Sequence, residues 1–133
     1  MIQNNLAADI QNWSTKQFAD YVRGQDTNQN IILARDHGGP WQNELEKSQN
    51  MNLKDAMQSA KDSYRADIDA GFHMLHIDPS VDIHSQPNID QVLERVYELY
   101  DFCWSYAQQK NQDIMGWSIV KFWRILNTMG KTN

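Results

Sequence analysis

Short apolar runs alternate with helical stripes along this sequence, and that alternation limits the folds that the chain can adopt. Ile31–Ala34 is an unbroken apolar run, of the kind that forms a parallel strand covered on both faces. Phe72–Ile77 is a second run of strand type. The resulting order of helix, strand, helix, strand, helix is typical of βαβ units with a parallel sheet and right-handed crossovers. The sequence therefore predicts an α/β fold.

The three helices that flank these runs have recognisable ends. Ser14 opens the first with the spacing of a capping box, and Gly24 ends it. Asn52 caps the second, which ends at Gly71. The third is predicted to run over Ile89–Gln109. Its buried stripe is predicted to comprise Ile89, Val92, Leu93, Val96, Leu99, Tyr100, Cys103 and Ala107.

The chain divides into three parts by pattern. Residues 1–13 are polar and rich in Asn and Gln, and are predicted to be irregular. Residues 14–114 carry the alternating elements. Residues 115–133 are predicted to form an amphipathic helix that packs on its own domain or, alternatively, lies on a membrane or binds a partner. The apolar stripe of this helix is formed by Ile119, Phe122, Trp123 and Leu126.

Composition excludes several classes of partner. A net charge of −5 argues against a nucleic-acid interface and against binding to anionic membranes, because both need clustered Lys and Arg. The single cysteine, Cys103, cannot form an internal disulfide, which favours a reducing compartment. The first residues show neither a signal-peptide pattern nor a membrane span. We therefore predict a soluble, cytoplasmic protein that binds no nucleic acid and no membrane.

Polar side chains lie at the carboxyl ends of both predicted strands. Asp36 and His37 end the first strand, and His76, Asp78 and Ser80 end the second. Ligands of parallel α/β folds bind at this edge of the sheet. Neighbouring side chains of a regular strand point in opposite directions, so an Asp-His pair can supply a proton-transfer group and a metal ligand. The alternative is structural: an Asp that caps the glycine turn and a His hydrogen-bonded at the surface.

Three other side chains have structural interpretations. Trp41 follows the glycine turn and is either a core or rim aromatic or a platform for a sugar. His84 lies in a polar loop and is predicted to be solvated. Cys103 lies on an apolar helical face and is predicted to be a small buried side chain.

Three blocks of the chain resemble the family of the non-catalytic subunit of D-tagatose-1,6-bisphosphate aldolase. They are residues 31–42 (IILARDHGGPWQ), the helix that starts at residues 55–57 and runs to residues 70–72, and residues 76–80 (HIDPS) in the next strand. The resemblance covers roughly residues 14–114 and implies a fragment of a (β/α)8 (TIM) barrel of class II aldolase type. Arg35 departs from the family, which has glycine there, and its charge lies either near the site or outward.

The resemblance also implies roles for the residues at the strand ends. Asp36 would transfer a proton as a catalytic residue, and His37 would bind zinc, the one cofactor that the resemblance admits. Substrate binding would fall to His76, Asp78 and Ser80.

The function implied is in carbohydrate metabolism: support of a catalytic aldolase subunit that acts on a phosphorylated sugar. One alternative is a zinc-dependent class II aldolase-like lyase completed by a second chain, and another is a protein-interaction module that uses the C-terminal helix. A complete barrel needs about 250 residues. We therefore expect a truncated chain of 133 residues that associates with itself or with the catalytic subunit, and that is inactive alone.

Overall fold

A computed structural model describes residues 12–117 as helices on a small parallel sheet. The elements in order are α1 (Thr15–Gln25), β1 (Ala34–Gly38), α2 (Glu44–Ser48), α3 (Leu53–Asp69), β2 (Met74–Ile77), α4 (Ile89–Gln109) and β3 (Met115–Trp117). The three strands are parallel and lie in the order β1-β2-β3. The prediction of an α/β fold with a parallel sheet is thus confirmed. The predicted irregular N-terminus lies almost wholly outside the described residues.

The helix predicted over residues 115–133 is wrong at its first three residues. Met115–Trp117 form a strand, because their main chain pairs with Met74–His76 of β2. The remaining residues of that predicted helix, 118–133, lie outside the described part of the chain.

Local side-chain hydrogen bonds fix the beginnings of the long helices. The Ser14 hydroxyl accepts from the Gln17 N–H (3.2 Å) while the Ser14 N–H donates to the Gln17 side chain (2.9 Å), which is the predicted capping box. Asn52 caps α3 as predicted, and Asn88 begins α4 with a second capping box. Each such cap contributes about 1 kcal/mol. The bounds predicted for α4 coincide with those observed.

The short helix α2 was not predicted from the sequence. It begins at Asn43, whose side chain accepts from the Leu45 N–H. Its buried Glu46 carboxylate accepts the Trp41 N–H (2.6 Å) and the Ser59 hydroxyl, so this helix is held by contacts outside itself. Such contacts leave no periodic pattern in a five-residue segment.

The first strand begins later than predicted. Ile31 and Ile32 precede it and are 53% and 55% exposed, whereas Leu33 is buried. The Asp26 carboxylate accepts the N–H groups of Asn30 and Ile31, which holds this part of the apolar run in a loop. Asp36 and His37 lie at the carboxyl end of β1, followed only by Gly38.

The core lies between the sheet and the long helices. Tyr64 and Ile68 of α3 and Leu99 of α4 pack with Leu75 and Ile77 of β2, and all five are almost fully buried. Full burial of an aliphatic side chain contributes about 1.5–3 kcal/mol. This packing fixes the position of β2, whose carboxyl end carries three of the five predicted site residues.

Only part of the predicted stripe on α4 is buried. Val92, Val96, Leu99, Cys103 and Ala107 lie in the interior, but Ile89 and Tyr100 are 40% and 37% exposed. The apolar surface of α4 is therefore wider than the face that the described residues cover.

Among residues 12–117, no helix has the length and hydropathy that a membrane span requires.

Arg35 fastens β1 to α3. Its Nε and Nη2 donate to the two carboxylate oxygens of Asp67 (2.8 and 3.1 Å), and Nη2 also donates to Ser63. The Asp67 side chain is only 1% exposed. Burial raises the pKa of Asp67, whereas the hydrogen bonds and charge of Arg35 lower it. The charged group of Arg35 thus pairs with the helix layer and does not reach the candidate site.

Candidate metal centre at the carboxyl edge of the sheet

A β-bulge in β1 brings Asp36 and His37 to the same side of the strand. Arg35 pairs with Leu75 and Gly38 with Ile77, so β1 has one residue more than β2 over this stretch. His37 takes a left-handed conformation with φ of 50°. Bulges are frequent beside functional sites because they redirect side chains. Here the bulge removes the opposite orientation of a regular strand, and His37 Nε2 lies 3.5 Å from Asp36 Oδ1.

The glycine pair after His37 lets the end of β1 approach its neighbours closely. A Cβ on Gly38 would lie 2.4 Å from the Tyr64 hydroxyl oxygen, and one on Gly39 would lie 2.3 Å from the Asp78 carbonyl oxygen. Gly39 also has φ of 153°, a conformation that side chains disfavour. The Asp78 N–H donates to the Gly38 carbonyl (2.7 Å), which extends the pairing of the two strands up to the site.

Asp36, His37 and His76 form a cluster whose ligand atoms lie within 4.8 Å of one another. Asp36 Oδ1 is 3.5 Å from His37 Nε2 and 3.2 Å from His76 Nδ1. The Asp36 side chain is 84% exposed, whereas that of His76 is 15% exposed. The structure thus places three of the predicted site residues together, with the carboxylate on the solvent side.

Asp78 holds the ring of His37 from the opposite edge. Its Oδ2 lies 3.0 Å from His37 Nδ1, and its side chain is only 4% exposed. Burial would raise the pKa of Asp78, but hydrogen bonds from Ser80 and His37 outweigh it and keep that pKa below its usual value. A charged Asp78 favours a proton on His37 Nδ1, which leaves the Nε2 lone pair directed at the cluster. Metal-binding histidines have this arrangement.

Asp78→Asn tests this support without removing a ligand. Loss of the charge weakens the hold on the His37 ring, and we expect zinc affinity to fall by about 10–100-fold. Isothermal titration with zinc would measure the change. Asp62→Asn is the control, since Asp62 is an exposed carboxylate that accepts from Gln58 on the surface of α3 and does not contact the cluster. Equal zinc affinities for the parent chain and Asp78→Asn would contradict an orienting role.

The buried Tyr64 holds the backbone of His76 in place. Its hydroxyl donates to the His76 carbonyl (2.9 Å), and burial raises the pKa of Tyr64, so the phenol keeps its proton. The His37 N–H donates to His76 Nδ1 over a long 3.3 Å. A metal ion would need the same lone pair of Nδ1, and would therefore replace a weak hydrogen bond. Tyr64 also belongs to the buried face of α3, and the sequence carried no signal of this second role.

The geometry of the cluster fits a divalent metal ion. Two ligand atoms, each about 2.1 Å from a tetrahedral zinc, are about 3.4 Å apart. The two separations from Asp36 Oδ1, 3.2 and 3.5 Å, lie on either side of that value, and the two imidazole nitrogens are within 4.8 Å of each other. Imidazole nitrogens and one carboxylate are ligands that zinc accepts, and three of them leave a fourth position for water or substrate. The residue types and these two separations are therefore compatible with a zinc ion shared by the three side chains.

The other candidate residues lie outside this cluster. The Ser80 N–H donates to Asp78 Oδ1 (3.1 Å), and its hydroxyl oxygen is buried, away from any incoming substrate. Trp41 is fully buried and its indole donates to the Met51 carbonyl (2.8 Å), so it is a core aromatic and not an accessible sugar platform. His84 is exposed, with Nε2 2.9 Å from the same carbonyl. Burial raises the pKa of Cys103 to about 12, which makes this thiol a poor nucleophile.

One supporting residue was missed at the sequence level. Gln42 Nε2 donates to the Asp78 carbonyl (3.0 Å), tying the turn after β1 to the end of β2. Its place within the block that resembles the aldolase family was the only available signal.

The chain matches no known protein family, no curated protein and no solved structure.

Proposed function

We propose that this chain is part of an aldolase-type (β/α)8 barrel related to the non-catalytic subunit of D-tagatose-1,6-bisphosphate aldolase. In this proposal it binds a divalent metal ion, zinc by preference, and supports a catalytic subunit in sugar-bisphosphate metabolism. The observation that carries the proposal is the spacing of Asp36, His37 and His76 at the carboxyl edge of a parallel sheet. That edge is where barrels of this type bind their substrates.

The described residues supply only part of the sheet that this proposal requires. The described residues supply three parallel strands, whereas a closed barrel of this kind has eight. In this proposal the other strands lie outside residues 12–117. A phosphorylated sugar would then meet the cluster only in the assembled protein.

The chain's own residues account for part of the chemistry of such a site. A bound zinc ion would act as a Lewis acid that polarises a substrate carbonyl. Asp36 is the most exposed member of the cluster, and if its Oδ1 held the ion, its other carboxylate oxygen would remain accessible to a substrate proton. Asp78 and Tyr64 hold His37 and His76 in place, and neither changes its protonation in this scheme.

Zinc binding by the purified chain tests the proposal. We expect about one zinc ion per chain after equilibrium dialysis, and about a 100-fold loss of affinity in His37→Ala, since even an outer partner contributes about 10–100-fold. His73→Ala is the matched control, because His73 is exposed and lines a cavity away from the cluster, on the side of the sheet where the strands begin. Binding that is equal in all three proteins, or absent from the parent chain, would refute the metal site.

A second candidate function is a zinc-dependent aldolase-like lyase, and the exposed Asp36 favours it. Here the chain would take part in the chemistry once a second chain completes the ligand set. Aldol cleavage of a ketose bisphosphate by the reconstituted pair separates the two roles. Loss of cleavage in Asp36→Asn while zinc binding is retained would assign a catalytic role to this chain, and unchanged cleavage would assign the catalytic residues to the partner.

A further inference from the structure

Helix α4 exposes a row of large apolar side chains. We call this row the aromatic stripe; it consists of Ile89, Leu93, Tyr97, Tyr100 and Trp104. Four of these side chains are between 37% and 63% exposed, and Leu93 is half-buried. Steps of four, four, three and four residues keep the row on one face of the helix. At 1.5 Å per residue the stripe is about 22 Å long.

The aromatic stripe faces away from α3. On the α3 side of α4, Glu98 binds Lys61 (2.7 Å) and the Tyr106 hydroxyl donates to Asp69 (2.7 Å). Another face of α4, which includes Leu99 and Cys103, is buried in the core. A rotation of 100° per residue places the stripe opposite the α3 contacts and next to the buried face.

The connectivity of the sheet indicates what belongs on that side. The strands lie in the order β1-β2-β3, and α3 and α4 are successive crossover helices that pack against each other. In a right-handed parallel series, a helix that follows β3 lies beside α4 on the side away from α3. The chain leaves β3 at Trp117, so residues 118 onward are the segment that this topology directs towards the aromatic stripe.

We propose that residues 118–133 cover the aromatic stripe as an amphipathic helix. Their apolar stripe, Ile119, Phe122, Trp123 and Leu126, supplies a surface of matching character. The segment contains three basic residues and no acidic residue. On α4, Asp90, Glu94 and Asp101 are exposed beside the aromatic stripe, which adds an attraction that salt screens. The proposal concerns packing within one chain and does not depend on the metal site.

Hydrogen–deuterium exchange of the full chain tests this packing. The test variant is Tyr97→Ser with Trp104→Ser, both at exposed positions, so the core remains intact. We expect amides of residues 119–126 to be protected in the parent chain and to exchange at least about 10-fold faster in the variant. Amides of α3 should be unchanged. Leu45→Ser is the matched control, since Leu45 is an equally exposed apolar residue (58%) on another helix.

Two results would overturn the proposal. One is equally fast exchange of residues 119–126 in the parent chain and the double variant. The other is a parent chain that sediments as a dimer and a variant that sediments as a monomer, with the exchange of residues 119–126 unchanged. That outcome would identify a second copy of the chain as the occupant of the aromatic stripe. Protection lost only in the double variant, at constant monomer mass, supports the intramolecular contact.

Discussion

Replacement of Arg35 by methionine is expected to lower the free energy of unfolding by about 3–5 kcal/mol, because it leaves a buried carboxylate without its cation. Asp67 is 1% exposed and receives both of its strong hydrogen bonds from Arg35. Urea unfolding followed by circular dichroism measures the loss. Lys47→Met is the control; Lys47 pairs with Glu44 at the surface, and its loss should change stability by less than about 0.5 kcal/mol.

The destabilisation should depend on pH in a defined direction. Burial raises the pKa of Asp67, and Arg35 lowers it, so removal of Arg35 raises it further. In the unfolded chain Asp67 loses its proton near pH 3.9. The stability gap between the parent chain and Arg35→Met is therefore widest at neutral pH and narrows as acid protonates folded Asp67.

A double variant separates the charge from the packing. Arg35→Met combined with Asp67→Leu removes both charged groups, and apolar replacement of a buried ion pair is often neutral or stabilising. We expect the double variant to regain most of the lost stability. A gap that is constant from pH 4 to pH 7, together with no recovery in the double variant, would show that the Asp67 charge is not the cause.

Gly39→Ala is expected to lower the free energy of unfolding by about 2–5 kcal/mol and to weaken zinc binding. The added Cβ would lie 2.3 Å from the Asp78 carbonyl oxygen, and the φ of 153° disfavours any side chain. Because the obstacle is backbone, relief requires that β1 and the end of β2 separate, which moves His37 away from Asp78. Thermal unfolding and zinc titration measure the two effects.

Gly24→Ala is the control, and we expect it to raise the free energy of unfolding instead of lowering it. Gly24 lies within α1, and a Cβ there would meet nothing within 4 Å. Alanine should therefore stabilise the protein by about 0.5–1 kcal/mol. A Gly39→Ala protein as stable as Gly24→Ala would contradict the close approach of β1 to Asp78.

The helices were predictable because their signals are local. Capping by Ser14 and Asn52, and the apolar periodicity of α4, involve residues within a few positions of each other. The start of β1 was predicted three residues too early. Nothing within Ile31–Ala34 shows that Asp26 holds the adjoining backbone in a loop. These hydrogen bonds from outside the apolar run, and not the composition of the run, decided where the strand began.

The position of the site was predictable, but its geometry was not. The rule that ligands lie at the carboxyl ends of parallel strands brought Asp36, His37 and His76 to the same edge. The bulge that turns Asp36 and His37 to one side depends on the pairing of β1 with β2, which the sequence of β1 does not encode. The supporting role of Asp78 likewise depends on a contact between residues 41 positions apart.

That separation has a consequence for how the protein would respond to its supply of metal. A cation held by residues 36, 37 and 76 closes a loop of about 40 residues, so in the proposed function it acts as a reversible cross-link that only the folded chain can form. Its binding energy would then add to the stability of the whole β1–β2 unit. Scarcity of metal in the cell would accordingly appear as a shortage of folded protein as well as a loss of function.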